Sequence, residues 1–485
     1  MKFLEIAVSI ICLLISLAEG NINWNEHHDN HQLIDIINQI HEECPNITHI
    51  YNLKFENYEK TPLGFKLWTI VFGENPESHS PLIPEFKYVG NIHGNEVVGR
   101  ELILRFAHEL CQGYLAQDEK ILWIIKNTRI HLLPAMNPDG YQLAVGQEKH
   151  DLRGRTNSHN VDLNRDFPDL NKIYFKNVEN GIEKFDHLLN EEILKSKKFQ
   201  IETWLVMDWI VNNNFILSAS MHGGDLVANY PFDTSPDHSR TYTKCADDTT
   251  FIQLANAYSF DNHKMYYGEK KCYDSINHFF HGRTNGARWY PVDGGMQDFN
   301  YLASNCFEIT LELGCEKYPE GDQLEKFWSM NNNSMYDFML QVHTGVKGVV
   351  LGEENGKLAP MTGVSIKVVQ LNETTTTPIK HNMKTYRDGD YFRLLTPGRY
   401  IIWATKSGYR PAISCMEISK VTSLKNLQEA KIVNFILLSE KESSITDGLI
   451  EKVANEFLTG EYRVSGSNDD PICRDISREH VSLIN

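Results

Sequence analysis

The feature that most constrains the fold of this chain is an alternation of two sequence patterns between residue 31 and about residue 343. Short strand-like runs such as GFKLWTIVF, EFKYVGNIH and FILSASMHG are separated by helix-like runs such as VVGRELILRFAHELCQGYL. This alternation predicts an α/β domain in which helices cover both faces of a central sheet. Because 485 residues are too many for one ordinary core, we expect a second, smaller domain.

The sequence pattern changes after His343. Residues 345–438 contain short β-rich runs such as VKGVVLG, GVSIKVVQ and RYIIWATKSGY, with turn residues between them and no helical period. We predict a small β-sandwich there, of roughly 90 residues. Residues 439–485 are expected to form a polar tail with one apolar stripe at helical spacing, made of Ile445, Leu449, Val453 and Phe457.

The first twenty residues, MKFLEIAVSIICLLISLAEG, have the pattern of a secretory signal. One lysine precedes an apolar run, and Ala18 and Gly20 follow in the small-x-small arrangement that signal peptidase accepts. A membrane anchor is the alternative, but it needs about 18 to 20 apolar residues and this run is shorter. We therefore predict secretion and no transmembrane span.

Secretion favours disulfide bonds, and eight cysteines remain of the nine once Cys12 leaves with the signal. The sequence alone does not choose their pairing. None forms a CxxC pair, which disfavours a cysteine-ligated zinc. Asn46, Asn332 and Asn372 each begin an acceptor sequence for N-glycosylation. The net charge of −17 argues against a nucleic-acid partner.

Two polar residues, His93 and Glu96, lie where a strand-like run gives way to a helix-like one. His93 is at the carboxyl end of the predicted strand, which is where open α/β sheets bind ligands. However, a His-x-x-Glu pair is short enough to occur by chance, and the helix dipole stabilises an acidic residue in a first helical turn without any metal. The pair alone leaves a metal site and a polar helix start as open alternatives.

Two further residues could complete a metal site. His222 also ends an apolar run, and the two glycines after it allow backbone or substrate to come close. Strand alternation in FEITLEL places Glu312 on the face opposite the apolar residues, where a carboxylate can take a proton from a zinc-bound water. Taken singly, His222 is typical of a structural histidine and Glu312 of an ordinary strand residue.

The segment GRTNSHNVDLNRDFPD concentrates basic and amide side chains, including Arg153, Arg155, Asn164 and Arg165. Guanidinium groups bind carboxylates through paired hydrogen bonds, and a neighbouring amide supplies a further donor. The segment predicts either a carboxylate-binding site or a solvated basic loop.

Taken in order, these motifs resemble a known family. HGNEVVGRE, MNPDGY, DLNRDFPD, SMHGGDLVANYPFD, WYPVDGG and CFEITLELGCEKYP are similar to the motifs of the regulatory branch of the zinc metallocarboxypeptidases, the subfamily of carboxypeptidases N, E, M and D. The similarity covers about residues 30–438. It implies an α/β domain over 21–344 with a mixed central sheet and helices on both faces, followed by a transthyretin-like β-sandwich over 345–438.

The resemblance also implies the catalytic residues, with one Zn²⁺ per chain as the cofactor. His93, Glu96 and His222 match the zinc ligands. Glu312 matches the general base, and Arg155 matches the arginine that polarises the scissile carbonyl.

The substrate-binding residues follow from the same resemblance. Asn164 and Arg165 match the pair that holds the substrate's free carboxylate, and Tyr290 matches the mobile tyrosine that closes over the bound residue. Asp233 matches the aspartate that pairs with a basic side chain, and Gln297 matches another residue lining that pocket.

The chain departs from the family pattern in places. The usual LNRNFPD reads LNRDFPD, so Asp166 is expected to weaken the carboxylate-binding pair if it faces the site. The resemblance implies disulfides between Cys44 and Cys111 and between Cys272 and either Cys306 or Cys315. The cysteines outside the subfamily's set are Cys245, Cys415 and Cys473. The apolar stripe of the tail resembles a membrane-binding tail in the family, and a solvated or disordered tail is the alternative.

These features predict a secreted zinc carboxypeptidase that releases C-terminal Lys or Arg from peptides and proteins, in the extracellular space or in secretory granules. Peptide or prohormone processing is the expected role. A catalytically inactive carboxypeptidase-like binding protein is one alternative. A zinc deacylase on a similar sheet is another, but it would need neither the Arg155, Asn164 and Arg165 set nor Asp233.

Overall fold

The computed structural model of the chain describes residues 22–146, 152–268, 272, 279–372, 375–419, 422–441, 445–458 and 460–465, apart from the side chains of 455–457. The predicted secretory signal, Cys473 and the end of the predicted tail lie outside these residues.

A mixed sheet of eight strands forms the centre of the first domain. Its strands are β1 Thr48–Asn52, β2 Trp68–Phe72, β3 Glu85–Gly90, β4 Arg129–Leu133, β5 Phe215–His222, β6 Leu226–Tyr230, β7 Arg283–Asn285 and β8 Phe307–Leu313. They lie in the order β1-β2-β4-β3-β5-β8-β6-β7. The four central strands, β4, β3, β5 and β8, are parallel, while β6 runs antiparallel to β8. The carboxyl ends of the central strands therefore meet at one edge.

Helices cover both faces of this sheet, as predicted. They are α1 Asn30–Glu43, α2 Val98–Leu115, α3 Glu119–Asn127, α4 Pro138–Ala144, α5 Leu170–Glu179, α6 Glu191–Lys195, α7 Ile201–Asn212, α8 Asp248–Asp261, α9 His263–Tyr267, α10 Gly286–Trp289, α11 Met296–Ala303 and α12 Leu324–Leu340. On β3, the Tyr88 hydroxyl donates to the carbonyl of Met335 in α12, and the neighbouring Lys87 donates to Asn300 in α11. Because successive side chains of a strand alternate, α12 and α11 lie on opposite faces.

The central strands are buried along their whole length. A sheet covered on both faces favours nearly continuous apolar runs, and full burial of each large apolar side chain contributes about 1.5 to 3 kcal/mol. Some polar side chains on these strands pair with one another. For example, Ser218 of β5 donates to Glu308 Oε2 of β8 at 2.6 Å.

Two further β-sheets follow and confirm the predicted β-sandwich. The strands are β9 Val346–Glu354, β10 Lys357–Pro360, β11 Ser365–Leu371, β12 Thr376–Lys384, β13 Asp390–Arg393, β14 Gly398–Thr405, β15 Ala412–Ile418, β16 Lys431–Leu437 and β17 Glu461–Val464. One sheet has the order β12-β11-β14-β15, and the other contains β10, β9, β16, β17 and β13. β17, from the segment predicted to be a polar tail, pairs in parallel with β16.

Three of the four stripe residues, Leu449, Val453 and Phe457, lie on a helix, α13 Asp447–Phe457, that packs against the sandwich, and Ile445 precedes it. Ile450 and Ala454 are buried in a small cluster with residues of β9 and β16, and Ile445 and Val453 pack against the same cluster. Ile445 and Val453 of the predicted stripe are therefore in contact with the sandwich. No helix among the described residues is long and apolar enough to cross a membrane.

The disulfides settle the alternatives left open by the sequence. Cys44 bonds to Cys111 and Cys272 bonds to Cys315. Cys306 is a free, buried thiol in contact with Lys87, so it does not pair with Cys272. Cys245 is also free and buried, whereas Cys415 is disulfide-bonded.

Candidate active site

His93 and Glu96 lie in the connection between β3 and α2, because the helix itself begins at Val98. The Asn91 side chain shapes this connection by donating to the carbonyls of His93, Gly94 and Glu96 at 3.0, 2.9 and 3.2 Å. Gly94 has no room for a side chain, since a Cβ there would lie 2.1 Å from the carbonyl carbon of Gly140. The side-chain amide of Asn91 and the close contact with α4 therefore fix the conformation of this loop.

One carboxylate oxygen of Glu96 lies close to both histidine side chains. Its Oε2 lies 3.0 Å from His93 Nδ1 and 2.9 Å from His222 Nδ1, and the two Nδ1 atoms are 3.2 Å apart. All three side chains are buried. Two imidazole nitrogens and one carboxylate oxygen form the ligand set of a catalytic zinc site, which leaves one position open. The residues present therefore fit a zinc ion.

Glu312 lies beside this cluster because of strand register. His222 of β5 is directly opposite Glu312 of β8 in the parallel pair. Glu312 is buried, and its Oε2 has no hydrogen-bond partner among the described residues. Burial and the neighbouring charge of Glu96 raise the pKa of Glu312 to about 7. A divalent cation bound nearby would favour the carboxylate and lower that pKa again.

Two residues that the sequence analysis did not single out complete the cluster. Asp162 accepts from His93 Nε2 at 3.1 Å and forms an ion pair with Arg155 at 2.9 Å, so it orients both side chains. Lys317 is hydrogen-bonded to Glu96 and donates to the carbonyl of Gly223 at 2.7 Å. Both lie inside quoted motifs, DLNRDFPD and GCEKYP, but neither is at a spacing that suggests a role.

A carboxylate beside an imidazole fixes the ring that ligates a metal. Burial opposes ionisation of Asp162, but the hydrogen bond from His93 and the nearby Arg155 hold the pKa of Asp162 well below its ordinary value. Asp162 therefore remains an acceptor at any physiological pH.

All the predicted site residues except Gln297 line one cavity, which also takes in Asp225, Asn229, Val292, Thr310 and Lys317. Asn164 presents its amide nitrogen to the cavity because its Oδ1 already accepts from the backbone N–H of Met296 at 3.0 Å. Arg165 lies beside it and donates to the Asn164 carbonyl at 2.8 Å. The two side chains supply neighbouring donors at the cavity wall. Burial raises the pKa of Tyr290, which keeps its phenol protonated.

Asp233 is buried at the end of the same cavity. Its Oδ1 accepts from Asn229 and from Gln297, each at 2.9 Å, which leaves Oδ2 for another partner. Gln297 therefore contacts Asp233 from behind and does not line the cavity itself. Gly286 is required here, because a Cβ would lie 1.9 Å from Asp233 Oδ1. Burial raises the pKa of Asp233 to about 6.

Asp166 does not face the cavity. Its Oδ2 accepts from the backbone N–H of Gln200 at 2.7 Å, and its Oδ1 pairs with Lys197 at 3.0 Å. Gln200 is the residue that precedes α7, so Asp166 stabilises the positive end of that helix. The expected weakening of the carboxylate-binding pair has no structural basis.

Comparison with known proteins shows the family to which the chain belongs. A family model described as zinc carboxypeptidase matches residues 33–334. The chain belongs to the zinc carboxypeptidase family.

Individual relatives agree with that assignment. The chain is 40% identical over 456 residues to carboxypeptidase E of Caenorhabditis elegans, which covers 91% of this chain and 93% of that protein. It is 43% identical over 394 residues to the carboxypeptidase N catalytic chain of Mus musculus, covering 79% and 81%. It is 38% identical to carboxypeptidase D of Homo sapiens, covering 94% of this chain and 30% of that longer protein. The chain is thus a zinc carboxypeptidase of the N, E and D type, a hydrolase that acts at peptide C-termini.

Proposed function

We propose that this chain is secreted and releases a single C-terminal Lys or Arg from peptides and proteins, with His93, Glu96 and His222 holding one Zn²⁺. Trimming of peptides in secretory granules or the extracellular space is the biological setting that fits such an activity. The observation that carries the proposal is that one cavity holds a His₂Glu cluster, paired donors at Asn164 and Arg165, and the buried carboxylate of Asp233.

Within this site each residue has a distinct task. When bound, the zinc polarises the scissile carbonyl and lowers the pKa of the attacking water. Glu312 takes the proton of that water and later delivers it to the leaving amine. Arg155, held by Asp162, donates to the oxygen on which negative charge develops.

Two features restrict the substrate to a basic C-terminal residue. Asn164 and Arg165 bind the free carboxylate, and a substrate without that group would leave their donors unpaired in a buried site. Asp233 Oδ2 pairs with the ammonium or guanidinium of the last side chain. Tyr290 closes over that residue and excludes water.

The test is a peptide that ends in arginine, incubated with the zinc-loaded protein and followed by mass spectrometry. We expect it to lose one residue, a chelator to stop the reaction, and the same peptide with an amidated C-terminus to remain intact. Internal cleavage of the amidated peptide would contradict an exopeptidase.

The alternative is an inactive binding protein that has kept the fold. It would bind the arginine-ending peptide and never shorten it. The presence of Glu312 and Arg155 beside the metal-binding cluster favours the enzyme, because binding alone needs neither a general base nor a group that stabilises an oxyanion.

A further inference from the structure

Strand β6 runs along the cavity and places two carboxylates on opposite sides of Glu312. In the antiparallel pair with β8, Val227 is opposite Glu312 and Asn229 is opposite Thr310. Along the chain, Asp225 comes before the position that is opposite Glu312, whereas Asn229 and Asp233 come after it. At about 3.3 Å per strand residue, Asp225 and Asn229 are roughly 13 Å apart along the chain.

The position of Asn164 and Arg165, which bind the substrate's carboxylate, sets the orientation of the substrate. This inference rests on the proposed function. A Cβ at Gly295 would lie 3.5 Å from Asn164 Oδ1 and 3.6 Å from Asp233 Oδ2, so both groups border the same point. The C-terminal residue therefore occupies the Asp233 side. The scissile bond lies level with Glu312, and the residue before that bond extends towards Asp225.

The carboxyl group of Asp225 has no cationic partner among the described residues. The side chain lines the cavity and is half-buried. Its Oδ1 accepts from the backbone N–H of Leu226 at 2.9 Å, and it forms no ion pair with any residue that the structure describes. Lys317, which lines the same cavity, is already paired with Glu96.

We propose that Asp225 binds a basic side chain on the residue immediately before the scissile bond. The enzyme would then prefer substrates that end in two consecutive basic residues. The mechanism proposed above does not use Asp225. Removing or reversing its charge is therefore expected to change only the preference for the residue before the scissile bond. Because the pair is partly exposed to solvent, we expect a preference of roughly fivefold.

The test compares two peptides that end in Ala-Arg and Arg-Arg and are otherwise identical. The parent enzyme is expected to show a kcat/KM about fivefold higher on Arg-Arg. Asp225→Asn should bring this ratio to about one, and Asp225→Lys should invert it. The control Asp322→Asn removes an exposed carboxylate from a turn outside the cavity and should retain the parental ratio.

The ratio separates the outcomes. Poor folding of a variant lowers kcat/KM on both peptides by the same factor, so misfolding alone does not change their ratio. A parental ratio near one, or an Asp225→Lys enzyme that still prefers Arg-Arg, would overturn the role of Asp225 while leaving the proposed function in place. Failure to shorten either peptide would contradict the proposed function instead.

Discussion

At the scale of single residues, the carboxylate of Asp233 is buried, and burial makes its ionisation unfavourable in free energy. Burial raises the pKa of Asp233 to about 6, although Asn229 donates a hydrogen bond that favours the charged form. The carboxyl is therefore neutral in part below pH 6 and ionised above it. A guanidinium in the pocket would favour the ionised form further.

This predicts a pH dependence specific to basic substrates. Between pH 7 and pH 5, kcat/KM should fall by about tenfold more on an arginine-ending peptide than on the matched leucine-ending peptide, since only the first needs the ionised carboxylate. Steady-state kinetics on both peptides across this range measures the effect. Asp233→Asn is the control and should show a constant ratio. An equal fall on both substrates in the parent would remove Asp233 from the pocket.

At the scale of elements, the β3–α2 connection positions two of the three candidate metal ligands. Three carbonyls of this connection converge on the side chain of one buried asparagine, Asn91. The loop geometry is therefore set before any metal binds. Pre-organisation of this kind increases metal affinity because less order must be gained on binding.

We predict that Asn91→Ala weakens zinc binding. Three carbonyls lose their donor, and the free energy of unfolding of the metal-free protein should fall by about 2 kcal/mol. Zinc affinity, measured by competition with a chelator, should fall at least tenfold. Asn75→Ala, on an exposed loop, is the matched control and should change neither quantity. Parental zinc affinity in Asn91→Ala would show that the loop does not depend on this side chain.

Sequence patterns predicted the main elements, and the resemblance pointed to residues that mostly line one cavity, although their roles stay predictions. Alternation indicated β3, β5 and β8, and their parallel order explains why His222 and Glu312 meet. Asp162 could not be found in this way, because its contact with His93 spans 69 residues and depends on a loop with no periodic pattern. The position of Gln297 behind Asp233, and of Asp166 away from the cavity, also depend on long-range packing.

At the scale of the whole molecule, buried ionic contacts join the sandwich to the first domain. Arg393 of β13 pairs with Asp247 at 2.6 Å, and both are fully buried. His79 lies between Glu85 of β3 at 2.7 Å and Asp390 of β13 at 3.2 Å. The sequence patterns gave no indication of the contacts that reach β13, since Arg393 is 146 positions from Asp247 and Asp390 is 311 positions from His79.

His79 makes this junction sensitive to pH. Burial alone would lower its pKa, but Asp390 and Glu85 raise the pKa of His79 to about 9 from an ordinary 6.5. Because the folded-state pKa is the higher one, the stabilisation is complete below pH 6.5 and is lost as the pH rises through 9.

We therefore predict that His79→Gln destabilises the protein by on the order of 2 kcal/mol at pH 6 and by much less at pH 10. Urea unfolding of parent and variant at both pH values measures this difference. His31→Gln changes an exposed histidine and should have a small, constant effect. An equal loss at both pH values would mean that the charge on His79 does not stabilise the junction.

The most direct test of the zinc carboxypeptidase mechanism is Glu312→Gln, assayed for both zinc content and turnover of an arginine-ending peptide. The substitution keeps the shape of the side chain and removes its ability to accept a proton, so we predict one zinc per chain and a loss of kcat of at least a thousandfold. Turnover within tenfold of the parent, with zinc still bound, would contradict the assignment of Glu312 as the general base.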